Sequence, residues 1–117
     1  MDLGNLTEAE PMFLRSLAIG EKVLGKDHWD VAWTLNNLAG LKQGQGKFAD
    51  AESLYRRALA IFERKLDSED PDIATCLNNL ALTLKKQKKL AEAESLSKRA
   101  HAIEEKNNPL AAKNAGR

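Results

Sequence analysis

Apolar residues recur at three- and four-residue spacing along most of this chain, with charged and polar residues between them. Across residues 29–44 the apolar positions are Ala32, Leu35, Leu38, Ala39 and Leu41, and across residues 48–66 they are Ala51, Leu54, Tyr55, Ala58, Leu59, Phe62 and Leu66. This spacing puts the apolar side chains on one side of an α-helix. Residues 4–25 carry one further stretch of the same kind and residues 70–106 carry two, so the pattern predicts about five helices.

The helical stretches repeat. The tetrapeptide Asn-Asn-Leu-Ala at residues 36–39 returns 42 residues later at 78–81. The same offset relates the segment 57–61 to 99–103, and Ala51-Glu52 to the Ala-Glu pair that follows 42 residues on. A fixed period of this length is the signature of a stacked repeat protein. The sequence therefore predicts an all-α solenoid built from antiparallel helix pairs.

The register divides the chain into one domain at residues 4–106 and a tail. Residues 4–25 form a half repeat, followed by full repeats at 29–66 and 70–106. The tail, residues 107–117, loses the register, and we expect it to be disordered.

Two helix starts are predicted from local signals. Thr7 and Glu10 have capping-box spacing, which sets the start of the first helix there and puts Pro11 in its first turn. Asp70 followed by Pro71 is a second start, with the aspartate as N-cap and the proline at the first helical position.

Small residues at fixed places give the repeat its resemblance to a known family. Ala39, Ala51 and Ala58, with Leu35, Leu38 and Tyr55 between them, resemble the tetratricopeptide pattern of helix-turn-helix repeats. The 42-residue form, reading LNNLA…QGK…AE.LY.RAL.I.E..L, is similar to the kinesin-light-chain class of these repeats. The resemblance covers residues 4–106 and implies a right-handed superhelix. It also implies that the first helix of each pair lines a concave groove.

This chain departs from the family pattern at three positions. Trp29 replaces the proline found at Pro71, Lys42 stands where an aromatic residue is usual, and Ser97 replaces the aromatic residue equivalent to Tyr55. We therefore expect looser packing in the second repeat.

Composition excludes several function classes. The formal net charge of +1 gives no overall attraction to nucleic acid or membrane, and no apolar run approaches the length that spans a bilayer. Cys76 is single and cannot form an internal disulfide, so a reducing compartment is permitted. With no basic, apolar signal-peptide start and no membrane-spanning run, the expected location is the cytoplasm. His28 and His101 lie far apart without other metal ligands near them. No catalytic constellation, metal site or cofactor motif is found, so an enzyme is not predicted.

By the resemblance, groove-facing positions flank the apolar stripes of the first helices. The candidates are Trp33, Asn36, Asn37, Gly40 and Gln43 in the first repeat, and Thr75, Asn78, Asn79, Leu82, Lys85 and Lys86 in the second. An asparagine amide offers both a donor and an acceptor, which suits an extended peptide backbone. Trp33 could anchor an apolar side chain, and Lys85 with Lys86 would favour an acidic partner.

Each of these assignments has a structural alternative. The asparagines could cap or bridge neighbouring helices, and the run 85–89 could be a solvated helix end with cations at the negative pole. Cys76 lies on an apolar helical face and is expected to pack there.

Two functions follow from this pattern. The first is a protein-interaction scaffold that takes a peptide or a partner helix in its groove. The alternative is a self-assembling module without a peptide ligand. For the alternative, Met12, Phe13 and Leu17 of the half repeat form an apolar surface that would pair two copies as a homodimer.

Overall fold

The computed structural model describes residues 3–108, with side chains from residue 8 onward, and all regular structure in that range is helical. Its five helices are α1 (Leu3–Leu24), α2 (Trp29–Gly44), α3 (Phe48–Lys65), α4 (Pro71–Lys86) and α5 (Leu90–Asn107). The prediction of an all-α fold with about five helices is confirmed. Residues 109–117 of the predicted tail lie outside the described residues.

Two helices begin with a side-chain cap at the same place in the repeat. The Asp70 carboxylate accepts the Asp72 N–H at 2.9 Å, with Pro71 in the first turn of α4, as predicted. His28, 42 residues before Asp70, caps α2 with its imidazole, whose Nδ1 accepts the Asp30 N–H at 3.0 Å. This cap needs an unprotonated ring nitrogen, so only neutral His28 can form it.

The predicted start of α1 is wrong. The helix begins at Leu3, so Thr7 and Glu10 lie inside it and form no capping box at its start. Pro11 likewise lies in the body of α1 and not in its first turn. Glu10 instead forms an ion pair with Lys42 of α2. Its carboxylate therefore connects two helices.

The turns that follow α2 and α4 use the left-handed backbone region. Gly46 has a φ of +78°, and Lys88, which follows it by 42 residues, has a φ of +64°. Glycine reaches this region freely, whereas a residue with a Cβ is strained there by about 1 kcal/mol or more. The repeat geometry thus holds Lys88 in a conformation that its side chain disfavours.

The helices form a curved stack. Each helix packs against its neighbour in sequence, and the backbones of α2 and α4 also approach each other. Among the described helices, no such approach joins α1 to α3 or α3 to α5. Since the first helices of the two repeats are closer together than the second helices, α2 and α4 lie on the inner side of the curve.

Small side chains at the helix crossings keep the layers close. Ala39, Ala51 and Ala58 are fully buried, and the second-repeat equivalents Ala93 and Ala100 are buried too. The distance between the axes of packed helices is usually 8–10 Å, and it reaches the short end of that range only where such small residues meet.

Ion pairs connect the second helices across the wider outer side. Arg57 of α3 contacts Glu21 of α1 at 3.2 Å, and Arg99 of α5 contacts Glu63 of α3 at 2.9 Å. The two pairs are related by the 42-residue offset. Long arginine side chains thus cross a gap that the backbones do not close.

Candidate functional site

The exposed sides of α2 and α4 form one surface, which we call the inner face. Its exposed members are Asn37, Gly40 and Gly44 of α2, and Thr75, Asn78, Leu82, Lys85 and Lys86 of α4. These positions recur at three- and four-residue spacing, so they share one side of each helix. Most of the residues predicted from the resemblance lie here.

A polar network lies beneath the inner face, where α2, α3 and α4 meet. The Gln43 side-chain oxygen accepts the Thr83 hydroxyl at 2.9 Å and faces the Tyr55 hydroxyl at 3.4 Å. Thr83 is fully buried and Tyr55 nearly so, and burial raises the pKa of Tyr55 to about 12. Gln43 therefore connects three helices and is held by them.

Asn36 and Asn79 form a bridge between the two inner helices. The Asn79 amide donates to the Asn36 side-chain oxygen at 3.3 Å, and Asn36 is buried. The structure thus places this pair in the bridging role that was the alternative to groove binding. A part for Asn36 or Asn79 in partner recognition stays a prediction.

The other two asparagines of the repeated motif are exposed. Asn37 lines a cavity of about 380 Å³ between α1 and α2, together with Trp33, Thr34 and Ile19. Trp33 is half-buried there, and its ring packs in a T-shaped arrangement with the Phe62 ring, 5.2 Å between centroids. This corner of the inner face combines an aromatic surface with an amide.

A second cavity lies between α4 and α5, with a volume of about 400 Å³. Asn78, Leu82, Lys85 and Ser97 line it, and Asn78 donates to the Glu104 carboxylate at 2.7 Å. Ser97 occupies the position of Tyr55, whose ring lies between helices in the first repeat. Because a serine side chain is smaller than a tyrosine ring, Ser97 leaves room at this position. Looser packing of the second repeat stays a prediction.

Charge on the inner helices is divided along their length. The only acidic residue of α2 is Asp30 and the only one of α4 is Asp72, each in the first turn, whereas Lys85 and Lys86 end α4. Lys42 and Lys89 have carboxylate partners in Glu10 and Glu52. Within residues 8–108, no acidic side chain pairs with Lys85 or Lys86, and both are exposed. Thr75 lies in the N-terminal half of α4, far from the two lysines at its C-terminal end. Its hydroxyl donates to the Pro71 carbonyl at 3.2 Å.

In the described region, the free cysteine Cys76 is buried and the potential metal ligands do not cluster. Burial raises the pKa of the Cys76 thiol to about 12, and the thiol donates to the Tyr55 carbonyl at 3.5 Å, so it packs rather than reacts. Over the described residues, no group of three or more His, Cys, Asp or Glu side chains is placed to hold a metal. In the same range, no helix has the length and apolar character needed to cross a membrane.

Comparison with known families agrees with the repeat register and the paired helices. A profile of the Tetratricopeptide repeat family matches residues 1–64 and again residues 30–106. The chain is a tetratricopeptide repeat protein. Repeats of this family generally mediate protein–protein interaction and serve as non-enzymatic scaffolds. No curated protein sequence matches the chain.

Two solved structures resemble this tetratricopeptide repeat chain. One is BtubC (BKLC) from P. vanneervenii, with 25% sequence identity and a TM-score of 0.83 over 91% of this chain and 42% of that one. The other is a putative kinesin light chain from Podospora anserina with nearly identical TPR-like repeats, with 27% identity and a TM-score of 0.75 over 90% and 50%. The predicted likeness to the kinesin-light-chain class is confirmed. The chain spans half or less of the length of both proteins.

Two residues that organise the site were not predicted. Thr83 supplies the hydroxyl that joins α4 to Gln43, and Glu52 accepts from Gln87 and Lys89, both at 2.9 Å. The recurrence of Glu52 as Glu94 is visible in the sequence, but the repeat alone does not show that Glu52 bonds across the repeat boundary. A polar residue inside the apolar stripe of α4 was the signal for Thr83.

Proposed function

We propose that this protein is an interaction scaffold whose inner face binds a segment of a partner protein, with acidic residues of that segment near Lys85 and Lys86. The observation that carries the proposal is the contrast between these exposed lysines and Lys42 and Lys89, which have carboxylate partners on the protein itself. Two adjacent unpaired cations at the C-terminal end of a helix would gain an acidic partner at little cost in lost internal contacts.

The apolar corner of the inner face would take a neighbouring side chain of the same segment. The cavity beside Trp33 is open, and its lining combines an aromatic ring with the exposed Asn37 amide. An amide can donate to and accept from an extended peptide backbone, while the ring supplies apolar contact. This arrangement favours a peptide with an apolar residue separated from an acidic stretch.

Membership of the tetratricopeptide repeat family supports a role in protein–protein interaction. The acidic character of the partner segment is our proposal. Tetratricopeptide repeats generally mediate protein–protein interaction. Their stacked repeats give extended concave surfaces of the kind that the inner face provides. A reducing compartment such as the cytoplasm suits a protein with a single, buried thiol.

The test is peptide binding measured by fluorescence anisotropy, with acidic peptides selected from an array and a basic peptide of equal length for comparison. We expect Lys85→Glu with Lys86→Glu to weaken binding of the acidic peptides about tenfold or more, and added salt to weaken binding to the unmodified protein. Lys65→Glu is the matched control, because Lys65 is an exposed lysine at the end of α3, away from the inner face.

The Lys65→Glu control separates a specific inner-face site from a general effect of charge. Equal loss of binding in the Lys65 variant would show a general charge effect and would argue against an inner-face site. Failure of any acidic peptide to bind would contradict the acidic-partner proposal.

A further inference from the structure

Side chains that the fold leaves exposed lie on the outer flank of α1 and in the turn between α4 and α5. On α1, Met12 is exposed. Phe13 and Leu17, also predicted for self-association, are half-buried, and Leu17 packs against the core, so the pairing of two copies there stays a prediction. In the turn, the exposed side chain is that of Lys88.

The turn between α4 and α5 holds Lys88 in a backbone conformation that suits glycine. Lys88 has a φ of +64°, and its equivalent in the first repeat is Gly46, with a φ of +78°. The Lys88 N–H donates to the Lys85 carbonyl at 2.9 Å, and the N–H of the next residue donates to the Leu84 carbonyl at 2.9 Å. The turn at Gly46 has the same two hydrogen bonds, 42 residues earlier. This arrangement ends many helices, and glycine is its usual residue at the left-handed position.

No polar contact among the described residues offsets the strain at Lys88. Its side chain is exposed, and no carboxylate in that range pairs with it. The next residue, Lys89, differs, because its ammonium group donates to Glu52 of α3 at 2.9 Å. Gln87 donates to the same carboxylate oxygen. The fold therefore uses the side chains of Gln87 and Lys89, whereas glycine would serve it better than Lys88.

The repeat register separates the residues of this run that the fold uses from those that it does not. Gln87 and Lys89 have the same residue types at their equivalent positions in the first repeat. Lys85, Lys86 and Lys88 instead stand where the first repeat has a glutamine and two glycines. These three cations are thus a property of the second repeat alone, and all three are exposed.

Strain at Lys88 points to a use for its charge outside the fold. A residue in a disfavoured backbone conformation costs stability, and such residues concentrate at binding sites. The backbones of Lys88 and Lys85 are hydrogen-bonded, so the two side chains start from neighbouring points on the surface. Attraction between exposed charges extends over about 8 Å at physiological ionic strength. A carboxylate bound beside Lys85 is therefore attracted by Lys88 as well.

We propose that Lys88 is a third partner-binding cation, which contacts the acidic segment together with Lys85 and Lys86 and is retained at a cost in stability. This inference rests on the proposed function. The third cation extends the basic surface from the end of α4 into the turn toward α5. Three cations so close together fit a run of acidic residues better than a single carboxylate.

Three substitutions at this one position separate charge from strain. Lys88→Arg keeps both, Lys88→Gln keeps only the strain, and Lys88→Gly removes both. Binding of a fluorescein-labelled peptide with a run of glutamates should follow the charge. We expect its dissociation constant to rise about threefold in Lys88→Gln and in Lys88→Gly, and to change by less than about twofold in Lys88→Arg.

Thermal unfolding of the same variants should follow the strain. We expect the melting temperature to rise by a few degrees in Lys88→Gly and to stay unchanged in the other two. A variant that is more stable and yet binds more weakly cannot owe its loss of binding to unfolding. Lys65→Gln is the matched control, because Lys65 is an exposed lysine in the last turn of α3, and it should change neither quantity.

Full peptide binding by Lys88→Gln and Lys88→Gly overturns the inference. So does an equal loss of binding in Lys65→Gln, or a Lys88→Gly variant that melts no higher than the unmodified protein. Lys85→Glu with Lys86→Glu distinguishes this failure from failure of the proposed function. Binding that this double variant loses and Lys88→Gln keeps would leave the proposed function standing without Lys88, whereas a peptide that does not bind the unmodified protein contradicts both.

Discussion

Asn79 donates its side-chain amide to the side-chain oxygen of Asn36 at 3.3 Å, and so joins the two copies of one sequence motif across the repeat boundary. The residues are not equivalents of each other: the second asparagine of the later copy meets the first asparagine of the earlier copy. An identical tetrapeptide therefore supplies both halves of an interhelix contact. Asn37 and Asn78, the two members left over, are exposed.

We predict that Asn79→Ala destabilises the fold by about 1–2 kcal/mol, because it leaves the buried Asn36 amide without its partner. Asn37→Ala is the control and should change the free energy of unfolding by less than about 0.5 kcal/mol, since Asn37 is exposed. Urea unfolding followed by circular dichroism measures both. Equal effects of the two substitutions would show that the bridge contributes nothing specific.

We predict that Ala39→Leu or Ala81→Leu destabilises the fold by about 1–3 kcal/mol, because both alanines are buried where helices meet and a larger side chain overpacks the contact. Ala49→Leu and Ala91→Leu are matched controls at exposed positions of α3 and α5. Thermal melts of the four variants should separate the buried pair from the exposed pair. Unchanged melting temperatures for the buried pair would mean that the close contacts lie elsewhere.

Glu52 is the charged centre of the repeat boundary. It accepts from Lys89 and Gln87 with one oxygen and from Arg56 with the other, each at 2.9 Å. These contacts lower its pKa to about 2, with the hydrogen bond from Lys89 as the largest cause. Glu94, its equivalent in the second repeat, is exposed, and its one ion pair among the described residues is with Lys98 on its own helix.

We predict that Glu52→Gln costs about 1–2 kcal/mol of stability near neutral pH, and that Glu94→Gln costs less than about 0.5 kcal/mol. The pKa of Glu52 is lower in the folded than in the unfolded state, so its contribution is complete above the ordinary value of 4.5 and is lost as the pH falls toward about 2. The difference between the unmodified protein and Glu52→Gln should therefore shrink across that interval. A difference that does not depend on pH there would refute the ionic explanation.

Periodicity predicted most of the fold because the repeat forces it. Two copies of one pattern, 42 residues apart, define the helix pairs and the small residues at their crossings, whereas the cap at Asp70 follows from the local Asp-Pro signal. The start of α1 was missed because Thr7 and Glu10 match a capping box by spacing alone, and spacing does not say that the helix extends back to Leu3. The bond between Glu10 and Lys42 joins two helices, and only the packed structure places them together.

The site was predicted less completely, for a related reason. The sequence selected the correct two helices, but a helical wheel gives the side on which a residue lies and not the neighbour it meets. Asn36 and Asn37 are adjacent in sequence, yet one is buried against α4 and the other is exposed beside α1.

The central claim is that a partner segment binds on the inner face, and chemical-shift mapping tests it most directly. An ¹⁵N-labelled protein is titrated with the acidic peptide that binds best, and the shifts of backbone amides and of the Trp33 indole and Asn37 side-chain N–H groups are followed. We predict that the largest changes fall on Trp33, Asn37, Leu82, Lys85 and Lys86, with little change at the exposed Ser53 of α3 and Ser95 of α5. Changes centred on those two serines and their helices, with the inner face unaffected, would contradict the account.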